Sequence, residues 1–275
     1  MRLPGRVLAL ALALLAATAC GTDRVSLQYV LPSGRSLEYR LVLEATVRRT
    51  LGEDPREQRL EAVFRTRQTI LEDLGSGRAR AVVTLEPESL TVDDKQATPG
   101  PDQEFVVVLS PDGSVTEVES ATGAAPDVLA PVGLDRLLPR LRPVLPPGPV
   151  SPGDDWASDV DLTDDTGSLS LDVASRLAAL GLAGGHRAAL IRSSYTSPVD
   201  RRATFENAIA QIEGEDVGTQ AAWFALDGFL VRASGDSVGD YRVTFRPPGG
   251  SGGVGSVSGT LLVLLHTEIE LVARA

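Results

Sequence analysis

The chain has 275 residues, with 37 Asp and Glu against 26 Lys and Arg, for a formal charge of −11. An acidic chain of this kind is a poor nucleic-acid binder, so no nucleic-acid partner is expected. One cysteine and two histidines exclude a disulfide scaffold, a Cys-rich zinc module and iron–sulfur ligation, so neither metal nor cofactor is expected.

Arg2 and Arg6 precede a run of apolar and small residues, 7–19, which ends in Ala17-Thr18-Ala19-Cys20. Thirteen residues are too few to cross a bilayer, and the charged start plus apolar stretch has the form of a signal peptide. The end of the run resembles the lipobox of bacterial lipoproteins, with Ala17 where that family usually has leucine. The resemblance implies cleavage after residue 19 and acylation of Cys20, for example by palmitate. Cys20 would then anchor an extracytoplasmic protein of the cell envelope to its membrane. Losing Arg2 and Arg6 takes the formal charge from −11 to −13. Two acyl chains suffice for stable anchoring, because each buried CH₂ contributes about 0.8 kcal/mol.

Hydrophobic residues resume at Val25, Leu27 and Tyr29, so the folded part starts close to the anchor. From there the signal has period two. Leu37, Tyr39, Leu41 and Leu43 alternate with Glu38, Arg40, Val42 and Glu44. Residues 63–70 alternate with Arg65 and Arg67 on the polar face, Ala79 to Leu85 follow the same rule, and 105–109 is a solid apolar run. These lengths and alternations predict antiparallel strands with one wet face. Asp112-Gly113 and Asp227-Gly228 sit between strand-like runs and predict hairpins.

A glycine turn at Gly77 leads into the first of these hairpins, and one at Gly185 leads into the second. The turns are 108 residues apart and the Asp-Gly pairs 115 apart. This predicts one domain, 20–275, of two similar halves (about 25–145 and 150–275) joined by a Pro-rich linker, 143–153. Between the halves, Leu134, Leu137, Leu138 and Leu141 fall at helical spacing with Arg136 and Arg140 opposite, which predicts one short helix. The last strand, 260–272, places Leu261, Val263, Leu265, Ile269 and Leu271 on one face and His266, Glu268 and Glu270 on the other. It is expected to tie the chain end into the sheet.

Chemical motifs are weak. Gly250-Ser251-Gly252-Gly253-Val254-Gly255 matches a dinucleotide fingerprint but lacks a strand before it and a helix after it. Asp154, Asp155, Asp159, Asp161, Asp164 and Asp165 lack the calcium-loop spacing and suit a solvated strand and turn. His186 and His266 have no metal spacing, and no Gly-x-Ser-x-Gly elbow accompanies them. No enzyme activity is expected.

The segment Pro149-Val150-Ser151-Pro152-Gly153-Asp154-Asp155-Trp156 resembles a signature of uncharacterised bacterial lipoproteins, which carries no known activity. By architecture the chain is also similar to envelope lipoproteins with an unclosed β-barrel that bind lipids in a hydrophobic cavity. The expected fold is therefore mainly β: a curved antiparallel sheet or unclosed barrel with one short helix. The expected function is a non-enzymatic binding or carrier module for a hydrophobic ligand. Leu134, Leu137, Leu138, Leu141, Trp156 and Trp223 would line its groove. The alternative is a structural or protein-interaction subunit of the envelope.

Overall fold

Period-two alternation becomes twelve strands in the computed structural model, which describes residues 24–30, 32–123, 129, 137–164, 167–205, 208–246 and 256–274. Cys20, Leu134, Arg136, Asp165 and the glycines of 250–255 lie outside the described residues. The strands are β1 (Ser36–Leu51), β2 (Asp54–Gly75), β3 (Arg78–Val92), β4 (Lys95–Ala97), β5 (Gln103–Leu109), β6 (Val115–Thr122), β7 (Asp155–Asp164), β8 (Gly167–Ala183), β9 (His186–Phe205), β10 (Ala208–Ala225), β11 (Phe229–Arg246) and β12 (Val257–Arg274).

β1 pairs with β2 on one side and with β12 on the other, so the chain end closes the sheet onto its beginning. The pairing continues from β2 through β3 and β5 to β6, and from β7 strand by strand to β12. β4 lies against β3 alone. Every pairing is antiparallel except the seam between β6 and β7, which meet at one parallel bridge, Glu117 with Thr163. The result is a nearly closed antiparallel barrel with one seam. Closure removes the exposed strand edges that would otherwise template aggregation.

The two Asp-Gly hairpins form at the β5–β6 and β10–β11 connections. Only the glycine of each pair has positive φ, +84° at Gly113 and +93° at Gly228. Each turn closes with the glycine N–H donating to the carbonyl three residues back, at Ser110 and Ala225. These are three-residue hairpins with a left-handed glycine at the bulge, rather than two-residue turns that need positive φ twice. The ladders are irregular beside both, at Val108/Leu109 and at Trp223/Phe224. The β2–β3 and β8–β9 hairpins likewise share an irregularity, at Ile70/Glu72 and at Leu177/Ala179. The order of these turns and the places of the ladder irregularities are thus alike in β2–β6 and in β8–β11.

The outer wall carries charge along its length. Arg67 pairs with Glu38 at 3.1 Å, Arg80 with Glu119 at 2.7 Å and Arg176 with Asp155 at 2.6 Å, all between strands. The inner wall is apolar over most of its surface. Leu41, Leu43, Phe64, Ala81, Leu85, Val107, Leu169 and Leu171 are buried in one core.

Eight strands make a barrel that side chains alone can fill, and diameter grows with strand number. The eleven strands that form this ring leave more space, and the chain fills it with its own crossover. Leu129, Leu137, Leu138, Leu141 and Val144, between β6 and β7, join the same core as the wall. Of the predicted helix only its end is described: Leu137 is helical and Leu138–Arg140 form a 3-10 turn, with Pro139 in its first positions. Pro143 and Pro146 stop any continuation beyond it. In the Pro-rich linker, Pro143, Val144, Leu145 and Pro146 are all buried. Proline suits a buried extended segment, since it brings no backbone donor that would need a partner.

The N-terminal segment packs beside the strap. Val25 and Val150 exchange backbone hydrogen bonds at 2.8 and 2.9 Å. Leu27 is buried with Leu145, Val150, Leu177, Ile191 and Phe224. The ring of Tyr29 meets Phe224 edge-on at 4.7 Å.

Candidate functional site

The inner wall changes character where β9, β10 and β11 face the strap. The inward phase here carries Ser197, Asp216, Ser237 and Tyr241, all buried. Arg140 enters this patch from the strap. Its Nη2 lies 2.5 Å from Asp216 Oδ2, and both side chains are more than nine-tenths buried. The other Asp216 oxygen accepts a hydrogen bond from the Tyr241 hydroxyl. The Arg140 guanidinium stands 5.5 Å from the centre of the Tyr195 ring, and Gln220 Nε2 donates to the Arg140 carbonyl at 2.8 Å. Gly239 makes the arrangement possible. A Cβ there would fall 2.5 Å from Asp216 Oδ1 and closer still to the Tyr241 hydroxyl.

The strap is thus held in the lumen by a buried ion pair. Burial works against the Arg140 charge, and the adjacent Asp216 carboxylate more than restores it, leaving the guanidinium more firmly protonated than usual. Burial, and then the Asp216 charge, push the Tyr241 hydroxyl well above its ordinary range. Burial also raises Tyr29, and it lifts Tyr39 from 10.0 to about 12. The unfolded chain ionises its tyrosines near pH 10 while the folded chain keeps these protons, so stability falls as pH rises from about 10 to 12. Urea midpoints are expected to be steady to about pH 9 and to drop steeply above 10. A midpoint unchanged at pH 11 would contradict the burial of these hydroxyls.

Of the residues expected to line a groove, Leu137, Leu138 and Leu141 are core residues of the strap, 4 to 6 % exposed. Leu134 lies outside the described residues. Trp156 staples the strap, its indole N–H donating to the Val144 carbonyl at 3.0 Å. It also borders a depression of about 820 Å³ along β7–β11, with Ser175, Ser193, Thr219 and Gln220. Trp223 is half-buried and lies 3.3 Å from where a Cβ on Gly181 would be. The three described leucines do not border the depression, which is lined by hydroxyls and an amide rather than by leucine. Arg140 was expected on the helix face opposite the leucines. It points into the lumen, where Asp216 compensates its charge.

The Asp cluster follows the solvated reading. Asp155 pairs with Arg176, Asp161 accepts from Ser170 at 2.8 Å, and Asp154 caps the turn at Ser151 at 2.9 Å. Among the described residues, no group of three or more acidic, His or Cys side chains is placed to hold a metal ion. His186 stands edge-on to Phe229 in the β8–β9 turn. His266 lies on the outer wall, 2.8 Å from Asp236 and 3.4 Å from Glu268. The hydrogen bond its ring donates to the Asp236 carboxylate is the main cause that raises its pKa. Its contribution to stability is therefore full below about pH 6.5 and is lost as pH rises through the folded pKa. The imidazole titration followed by NMR is expected above 6.5, and Asp236→Asn is expected to bring it down.

No family model matches the chain, and no curated protein matches it. A crystal structure of a DUF1329 family protein from Desulfovibrio piger is similar to it at 10 % identity, with 86 % of each chain covered and a TM-score of 0.20.

Proposed function

We propose that the protein is an extracytoplasmic lipoprotein, anchored by acylated Cys20, whose barrel is a non-enzymatic binding or carrier module for a hydrophobic ligand. The observation that carries this reading is the filling of the lumen. An apolar wall wider than its own side chains can fill is occupied by a leucine-bearing strap, and one buried ion pair holds that strap. An acyl chain offers the wall the same contacts as Leu137, Leu138 and Leu141. The charged outer wall supports attachment through acyl chains, since charges facing lipid would each cost about 2–4 kcal/mol at mid-bilayer.

The test has two parts. Metabolic labelling with an alkyne-tagged palmitate should mark the wild-type protein and leave Cys20→Ala unmarked. A fluorescent fatty acid titrated into the purified protein should brighten saturably and be displaced by unlabelled palmitate. Labelling that persists in Cys20→Ala would overturn the anchor, and a flat titration with folded protein would overturn the carrier.

A further inference from the structure

One mouth of the barrel is formed by the start of β1, the ends of β2 and β12 and the β10–β11 turn. A pocket of about 380 Å³ opens there, bordered by Arg35, Arg274, Gln68, Asp227, Ile70 and Phe229, with Val30 and Leu37 also in its wall. Arg35 and Arg274 make no ion pair with any described residue. Arg274 lies over the Phe229 ring at 4.0 Å. Arg142 reaches the same place from the strap, donating to Gln68 Oε1 and standing 5.9 Å from the centre of the Tyr29 ring. It too has no carboxylate partner among the described residues. Gln68 is 3 % exposed, and its Nε2 has no hydrogen-bond partner.

Such an arrangement is costly as it stands. A buried amide donor without an acceptor costs about 1–3 kcal/mol. Arg35 and Arg274 are exposed, so their charges stand ready to meet an anion at the mouth. Among the described residues of the pocket wall the one carboxylate is that of Asp227, which is exposed.

We infer that this mouth binds the oxyanion head of an amphiphile, a carboxylate or phosphate, with its apolar tail directed along Ile70, Leu37 and Phe229. Arg35, Arg142 and Arg274 supply the charge, and Gln68 Nε2 supplies a directed donor. Two further features favour a lipid as the source. Val30, Leu71, Leu74, Leu182 and Val272, five of the eight large hydrophobic residues found exposed, lie at this same end of the barrel. Val30 is also ten residues from Cys20, which limits its distance from an acylated anchor to about 35 Å.

The inference rests on the carrier reading above and deepens it. The test compares palmitate, lyso-phosphatidylglycerol, the uncharged hexadecanol and inorganic phosphate, titrated into wild type and into Arg35→Gln/Arg274→Gln. Both substituted residues are exposed and make no ion pair with a described residue, so the variant should fold, and circular dichroism checks this. The expected result is at least tenfold tighter binding of the two anionic amphiphiles than of hexadecanol, with that preference lost in the variant. Phosphate that binds as tightly as the amphiphiles would overturn the lipid assignment in favour of a free oxyanion. Equal binding of hexadecanol and palmitate to wild type, or a preference that survives in the variant, would overturn the oxyanion site and leave the carrier reading standing. If no amphiphile binds to folded protein, the carrier reading itself fails.

Discussion

Asp216→Ala is expected to destabilise the fold by about 3–5 kcal/mol, measured by urea denaturation at pH 7. The substitution leaves Arg140 charged in the lumen, with its partner gone and its Nε already without an acceptor. Removing one member of a buried ion pair carries this cost because the remaining charge keeps its full desolvation penalty. Replacing both members with apolar residues of similar size, Arg140→Met with Asp216→Leu, should recover most of the loss. Recovery would show that the cost comes from the orphaned charge rather than from the missing contact. Gly239→Ala should weaken the same group by pushing on Asp216 and Tyr241, and its effect should add poorly to that of Asp216→Ala.

Gly113→Ala is the second large effect, expected at about 3 kcal/mol, and it tests the other support of the lumen filling. Gly113 has φ +84°, which penalises any residue with a side chain. A methyl there would also fall 2.5 Å from Tyr29 Cδ2, so the Tyr29 ring would have to leave its contact with Phe224. Gly34 is the control. It has φ +76° and nothing within 4 Å of an added Cβ, so Gly34→Ala should cost only the backbone part, about 1 kcal/mol. Equal effects at the two positions would contradict the account of Tyr29 as a wedge holding the N-terminal segment in place.

The barrel was legible in the sequence because its strands are one-sided. Leu37 to Leu43 and Val263 to Ile269 alternate cleanly, and water on one face with core on the other imposes that pattern. The same rule places Gln68 and Asp216 in the inward phase, since each stands two residues from an inward neighbour such as Thr66 or Gly218. A polar residue in that phase is the signal that could have marked both sites. Its partners could not be read in the same way. Arg140 meets Asp216 across 76 positions, and Arg35 and Arg274 border one pocket only because β12 pairs with β1. The spacing of Leu137, Leu138 and Leu141 marked a helical turn, which the described end of the segment shows, but it carried no sign that the turn lies inside the barrel. The walls that enclose it come from strands distant in sequence.

The asymmetry of the lumen links the fold to the proposed role. Its apolar part is wide enough to need the strap, and its polar part holds the strap through Arg140. A ligand that competes for the leucine positions must overcome that ion pair, whereas one that enters at the Arg35 and Arg274 mouth meets charges that still lack partners. The two routes differ in their dependence on Asp216, which lies in the first and not in the second.

Native mass spectrometry of the protein, produced from residue 21 onward and purified without detergent, tests the central claim most directly. The account predicts a discrete mass increment that is released on unfolding and identified as an acyl lipid in the organic extract. A folded protein whose measured mass equals that of its polypeptide alone, even after incubation with membrane lipid, would contradict it.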